Sequence, residues 1–349
     1  MARGLARFAP ALAPLRMAHG MLALGAAAAV TLAATQAAAA TPSLPDPRPD
    51  DGRSERTVSE WLTRMHDASR KRSYVGTFVV SSSNGAMSSA RIWHAYDGNR
   101  QADRIESLTG ERRSTFRRDD EVLTFLPEAR TVRSERRESL GVFPELALPD
   151  GTTIPEFYTA RRVGTDRVAG FDADMVQVLP KDALRFGYRI WSERKSGLLV
   201  KLQTLDDAGH VLEQAAFSEL HLDAPVRLHQ LAQMMAVPVG WRVEKPEAVK
   251  TTAAAEGWSL KTVVPGFKPV NCYKRPDEGV LQWIFTDGLA SVSIFIEDFD
   301  RERHVQEGVF SSGATHTLTR RMQDWWITAV GEVPPQTLKA FSLSLERRH

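Results

Sequence analysis

The apolar positions of this chain change period along its length. Val58, Trp61, Leu62 and Met65 recur at helical spacing. Thr57, with Glu60 three positions on, forms a capping box just ahead of them, so a helix should begin there with one face free to cover a sheet. From residue 74 to residue 220 the period becomes two. Runs rich in β-branched and aromatic residues at 74–80, 91–96, 122–126, 175–179, 188–191, 198–205 and 211–217 predict strands. The last two flank Asp206-Asp207-Ala208-Gly209, a hairpin loop. So many short strands with short connections predict an antiparallel sheet, too large to stay flat, in an α+β fold.

Beyond residue 223 the pattern weakens. Pro225, Pro238, Pro246 and the 251–255 run predict a linker over 224–257, dividing a domain at 57–223 from a smaller one at 258–346. In the second domain, strands are expected at 260–264, 281–285 and 290–296, followed by an apolar segment at 322–330 of either type. Pro334-Pro335 ends it, and Leu338, Phe341 and Leu345 return to helical spacing. Between two of these strands stands Thr286-Asp287-Gly288. Asp-Gly is a strong hairpin signal because both residues tolerate positive φ.

The first forty residues read differently. Arg3, Arg7 and Arg16 precede an apolar, alanine-rich stretch at 21–34 and small-residue cleavage positions at 37–40. This predicts a secretory signal over 1–40, then a proline-rich flexible leader over 41–56. Without the three signal arginines, the formal charge of +2 becomes one net negative charge. Such a chain lacks the basic footprint of nucleic-acid binding. Cys272 is the single cysteine, which excludes an intramolecular disulfide and cysteine-built zinc sites. It reads as a partly buried small residue or, alternatively, as the link of a disulfide-joined homodimer.

No nucleophile elbow, His-Glu-x-x-His pair or phosphate-binding glycine loop occurs, so no catalytic residue, metal or cofactor is expected. His94, in a strand beside Trp93, reads as a hydrogen-bonded sheet histidine rather than a general base. Asp172 and Asp174, after Gly170, read as a strand-entry turn rather than an acid–base pair. Ten arginines crowd 100–137, among them Arg112, Arg113, Arg117 and Arg118, with eight acids interspersed. They are either a solvated edge or a surface that grips an acidic partner or lipid head groups. Phe78, Val80, Trp93 and Phe125 either fill a core or line an acyl-chain cavity.

Three separated blocks resemble the RseB/MucB family of periplasmic regulators of the sigma-E envelope-stress pathway. They are LQWIFTDGLASVSIFIED at 281–298; LPKD at 179–182 with RFGYRIW at 185–191 and SGLL at 196–199; and WITAVGEVP at 326–334. The resemblance runs from about residue 58 to 346. It implies a LolA-like half-barrel, similar to the Lol-pathway lipoprotein carriers, closed by helices and followed by a small antiparallel domain. It also implies a periplasmic, non-enzymatic protein that binds the periplasmic part of an inner-membrane anti-sigma factor. There it would shield that factor from regulated proteolysis until an envelope lipid or lipoprotein signal, such as lipopolysaccharide or an acylated ligand, releases it. A stand-alone lipoprotein or lipid carrier is the alternative, needing only the first domain, and an exported hydrolase ranks third. The polar 81–84 segment and the charged 192–195 segment depart from the family pattern.

Overall fold

The computed structural model describes residues 56–136, 143 and 154–348. The expected signal (1–40), nearly all of the leader (41–56) and Arg137 lie outside the described residues. Helix α1 (Val58–Arg70) starts as the sequence predicts. The Glu60 backbone N–H donates to Thr57 Oγ1, and the Thr57 N–H donates to the Glu60 carboxylate. Twelve strands follow: β1 (Tyr74–Ser82), β2 (Met87–Tyr96), β3 (Gln101–Ser107), β4 (Ser114–Arg118), β5 (Glu121–Leu126) and β6 (Thr131–Arg136). Beyond short helix α2 (Ile154–Phe157) come β7 (Tyr158–Val168), β8 (Phe171–Pro180), β9 (Gly187–Glu193), β10 (Leu199–Leu205), β11 (Val211–Leu222) and, after helix α3 (Leu228–Gln233), β12 (Arg242–Glu244).

They form one open sheet in the order β12-β6-β5-β4-β3-β2-β1-β11-β10-β9-β8-β7. All its pairings are antiparallel except the short β12–β6 ladder. Helix α1 lies over β7 and β10, where Val58, Trp61, Leu62 and Met65 join Val176, Val178, Ile190 and Leu199 in a closed core. Burying each such side chain contributes about 1.5–3 kcal/mol, so α1 is held by packing rather than by helix propensity.

The second domain comprises β13 (Val249–Lys250), β14 (Trp258–Leu260), β15 (Lys268–Arg275), β16 (Val280–Thr286), β17 (Ser291–Asp298), β18 (Gly308–Ser312), β19 (Thr315–Met322), β20 (Trp325–Gly331), helix α4 (Pro335–Ser344) and β21 (Leu345–Arg347). Seven strands make a sheet ordered β13-β15-β16-β17-β20-β19-β18, while β14 pairs with β21. The core sits between this sheet and α4, with Phe285, Ile294, Ile327, Leu338 and Phe341 buried. The segment at 322–330, open between helix and strand on sequence, is mostly β20. Cys272 lies in this core at 5% exposure.

The expected linker, 224–257, contains one short helix and two short strands. Helix α3 rests on β2 and β3 through Leu231, β12 extends the first sheet, and β13 extends the second. Residues 245–248 alone separate the last strand of one sheet from the first of the other.

Candidate functional site

On one face of the first sheet, strand register sets His94, Asp103 and Arg117 side by side on β2, β3 and β4. All three are buried. His94 Nδ1 lies 2.5 Å from Asp103 Oδ1, and Arg117 Nε donates to Asp103 Oδ2 at 2.7 Å. His94 Nε2 faces the Arg70 carbonyl at 3.1 Å; a carbonyl only accepts, so Nε2 carries a proton. The ring also stacks on Tyr74, 4.9 Å between centroids. Burial pushes the Asp103 carboxyl up, but His94 and Arg117 together outweigh it and hold the group below the ordinary carboxylate range. His94 is therefore a structural link between sheet and helix end, with both nitrogens engaged.

This row removes Arg117 from the expected partner-binding set. Arg112 is exposed, Arg113 is partly buried, and Arg118 pairs with Glu121 at 3.2 Å. Alternation along β4 is the reason: neighbouring residues point to opposite faces, so Arg117 turns inward while Arg118 turns out. The expected acyl-chain lining divides in the same way. Phe78 pairs with Ala90 and packs on Phe143 and Phe217 on the face that carries Tyr74 and His94, and Val80 follows two positions on. Trp93 pairs with Arg104, which pairs with Phe116, and Phe116 with Leu123; this row and Phe125 occupy the opposite face. The four side chains do not line one cavity. Asp174 takes ion pairs from Arg162 at 2.9 Å and Arg194 at 3.3 Å, which leaves no Asp172–Asp174 acid–base couple.

What the fold does bring together is the junction between the domains. Arg185, just ahead of β9, reaches into the second domain, where its Nε donates to Asp287 Oδ2 at 2.7 Å with both side chains at 0% exposure. Tyr158 Oη donates to the same oxygen at 2.9 Å. Arg185 Nη2 donates to the Pro265 carbonyl at 2.5 Å, Nη1 to Asp182, and the guanidinium lies 4.2 Å over Phe157 and 5.0 Å over Phe267. Gly266 is required here: a Cβ would fall 2.1 Å from Arg185 Nη2, on backbone at φ +79.

Asp287 also shapes its own loop. Its Oδ1 accepts from the backbone N–H groups of Leu289 and Ala290, at 2.9 and 2.8 Å. The connection between β16 and β17 thus spans Asp287 to Ala290, and only Gly288 takes positive φ. The expected Asp-Gly turn is a longer Asp-capped loop, in which the aspartate is needed for its carboxylate. Side chains cross the junction both ways: Leu289 packs against the first core and Leu184 against the second. Thr337 of α4 donates to the Leu184 carbonyl at 2.7 Å, and the His316 ring sits 5.7 Å from Phe186. Burial pushes the Tyr158 and Tyr188 phenols well above their ordinary value and the His316 imidazole down.

These features define a two-domain α+β protein whose halves are joined by a sealed arginine–aspartate pair. Among the described residues no cluster of His, Cys, Asp and Glu could hold a metal ion, and no helix is long and apolar enough to cross a membrane. The chain belongs to the MucB/RseB family: the MucB/RseB N-terminal domain matches residues 57–235, and the MucB/RseB C-terminal domain matches 252–346. Similar proteins include the sigma factor AlgU regulatory protein MucB of Pseudomonas aeruginosa, 30% identical over 82% of this chain and 90% of that one. The sigma-E factor regulatory protein RseB of Escherichia coli K12 is 26% identical over 82% of this chain and 89% of its own. The solved Pseudomonas aeruginosa MucA/MucB complex superposes with a TM-score of 0.64 at 27% identity, covering 83% of this chain and 99% of that one. MucB in complex with MucA(peri) gives a TM-score of 0.63.

Proposed function

We propose that this chain is a periplasmic negative regulator of an envelope-stress sigma factor. It binds the periplasmic part of an inner-membrane anti-sigma factor and shields that segment from regulated proteolysis by covering it, with no bond made or broken. The observation that carries this reading is the similarity, through both domains and 83% of the chain, to a MucB solved together with MucA(peri). The sealed Arg185–Asp287 junction supports it as well, since it makes one body of the two matched domains. A stand-alone lipid carrier would leave the domain at 252–346 without a role. An envelope lipid or lipoprotein as the releasing signal belongs to the same proposal.

The test is a titration of the mature chain against the periplasmic segment of the anti-sigma factor from the same organism. Saturable binding is expected, weakened when an acylated amphiphile is added. Absence of binding contradicts the proposal, and binding indifferent to amphiphile removes the lipid-signal part of it.

A further inference from the structure

On the face of the first sheet that carries Trp93, a cleft of about 660 Å³ opens between the floor formed by β1–β3 and the wall formed by α3 with the segment leading into it. Its floor is Trp93, flanked by two arginines, with the Arg104 guanidinium 4.6 Å and the Arg91 guanidinium 5.3 Å from the ring centroid. The two cations differ in one respect. Arg104 is ion-paired to Glu106 at 2.8 Å. The Arg91 side chain has no hydrogen bond or ion pair among the described residues; its Nε, like that of Arg104, is closed to solvent with no partner. Its two acidic neighbours hydrogen-bond elsewhere, Glu106 to Arg104 and Glu219, beyond Thr77, to His221 at 3.0 Å, so that Arg91 acts on Glu219 only as a nearby charge. A guanidinium fixed by stacking, partly desolvated and lacking an acceptor is a prepared seat for a carboxylate.

The remaining walls select among anions. Leu231 and the half-exposed Met234 offer apolar, adaptable contact, while His221 and Gln230 interleave polar groups with them. An acyl chain laid in this cleft would leave those polar groups without partners, at a cost that a peptide, carrying its own donors and acceptors, avoids. We infer that this cleft docks an acidic–apolar peptide segment, with a carboxylate on Arg91 and an adjacent apolar side chain on Trp93 and Met234. The inference stands on these residues alone and does not require the anti-sigma partner. Its size suits a few residues of extended chain rather than a folded surface.

The probes are a fluorescently tagged, acetylated and amidated pentapeptide, Gly-Leu-Glu-Leu-Gly, and its twin with Gln in place of Glu, titrated against the whole mature chain. The Glu peptide should bind roughly tenfold more tightly than the twin, as one charge-assisted hydrogen-bonded contact implies. Arg91→Gln should abolish that difference. Because the Arg91 side chain makes no hydrogen bond or ion pair among the described residues, this variant should stay close to the parent melting temperature. As a second variant, Gln230→Glu on the exposed wall should weaken the Glu peptide by about three- to tenfold while leaving the twin unchanged. Equal binding of the two peptides, binding of neither, or discrimination that survives Arg91→Gln would each overturn the inference. Displacement of the Glu peptide by lysophosphatidylglycerol, added as a competitor, would overturn it in favour of a lipid site. Anti-sigma binding is measured separately, so failure here leaves the proposed function standing.

Discussion

Arg185 and Asp287, 102 residues apart in sequence, meet through a 2.7 Å hydrogen bond from which solvent is excluded on both sides. The relationship turns two family domains into a single unit. Two of the sequence blocks, around 182–186 and 287–290, face one another across it. The third block, ending at 334, leads into α4, whose Thr337 bonds back to Leu184.

Breaking this pair from one side leaves a charge buried without its partner. Arg185→Met or Asp287→Leu alone should therefore destabilise the chain by about 3–5 kcal/mol in denaturant unfolding. The double variant should lose less than the sum of the two, because neither charge is then orphaned. Additive losses would show that the two side chains act independently.

Acid should weaken the protein through Asp103. Its folded-state carboxyl lies below the ordinary value, although burial alone would raise it, because His94 and Arg117 face it. A depressed carboxyl adds stability that is complete above the unfolded value of about 3.9 and is lost as pH falls from there through the folded value. In Asp103→Asn that acid-side loss should be smaller, against a baseline lowered by about 3–5 kcal/mol. Urea midpoints measured from pH 7 down to pH 2.5 test this; identical pH slopes for parent and variant would contradict it.

Cys272 should be inert while the chain is folded. Burial in the second core pushes its thiol up to about 11. The thiolate, which is the reactive form, is thus scarce at neutral pH, and the sulfur is screened by its neighbours. Ellman's reagent should label it only in denaturant, and the protein should run at the same size with and without reductant. Rapid labelling of the native chain would restore the disulfide-linked homodimer as an option.

Strands with clean alternation were legible in the sequence: β1, β2, β5, β8, β9, β10 and β11 each overlap an expected run. Among the strands not anticipated, β3, β4, β6 and β7 of the first sheet carry charge on both faces. Their arginines and acids, such as Asp103 and Arg117, are satisfied by partners on adjacent strands, so the hydrophobic period that marks a strand is masked. Helix α1 was legible down to its cap, because a cap is a local interaction. The junction was not. Asp287 read as a turn former because the Asp-Gly signal concerns backbone φ, whereas its deciding contact is Arg185, far along the chain. Face assignment failed for a related reason. Phe78 and Trp93 lie on opposite faces through a register that is fixed only when the strands pair.

Shielding of an anti-sigma segment by covering it, the function proposed above, is open to a protease-protection assay. The periplasmic segment of the anti-sigma factor is incubated with its initiating protease while the mature chain is titrated in, and the initial cleavage rate is recorded. The rate should fall with added chain and level off once the segment is fully bound, with no change in the chain itself. An unchanged rate at concentrations that saturate binding would contradict it.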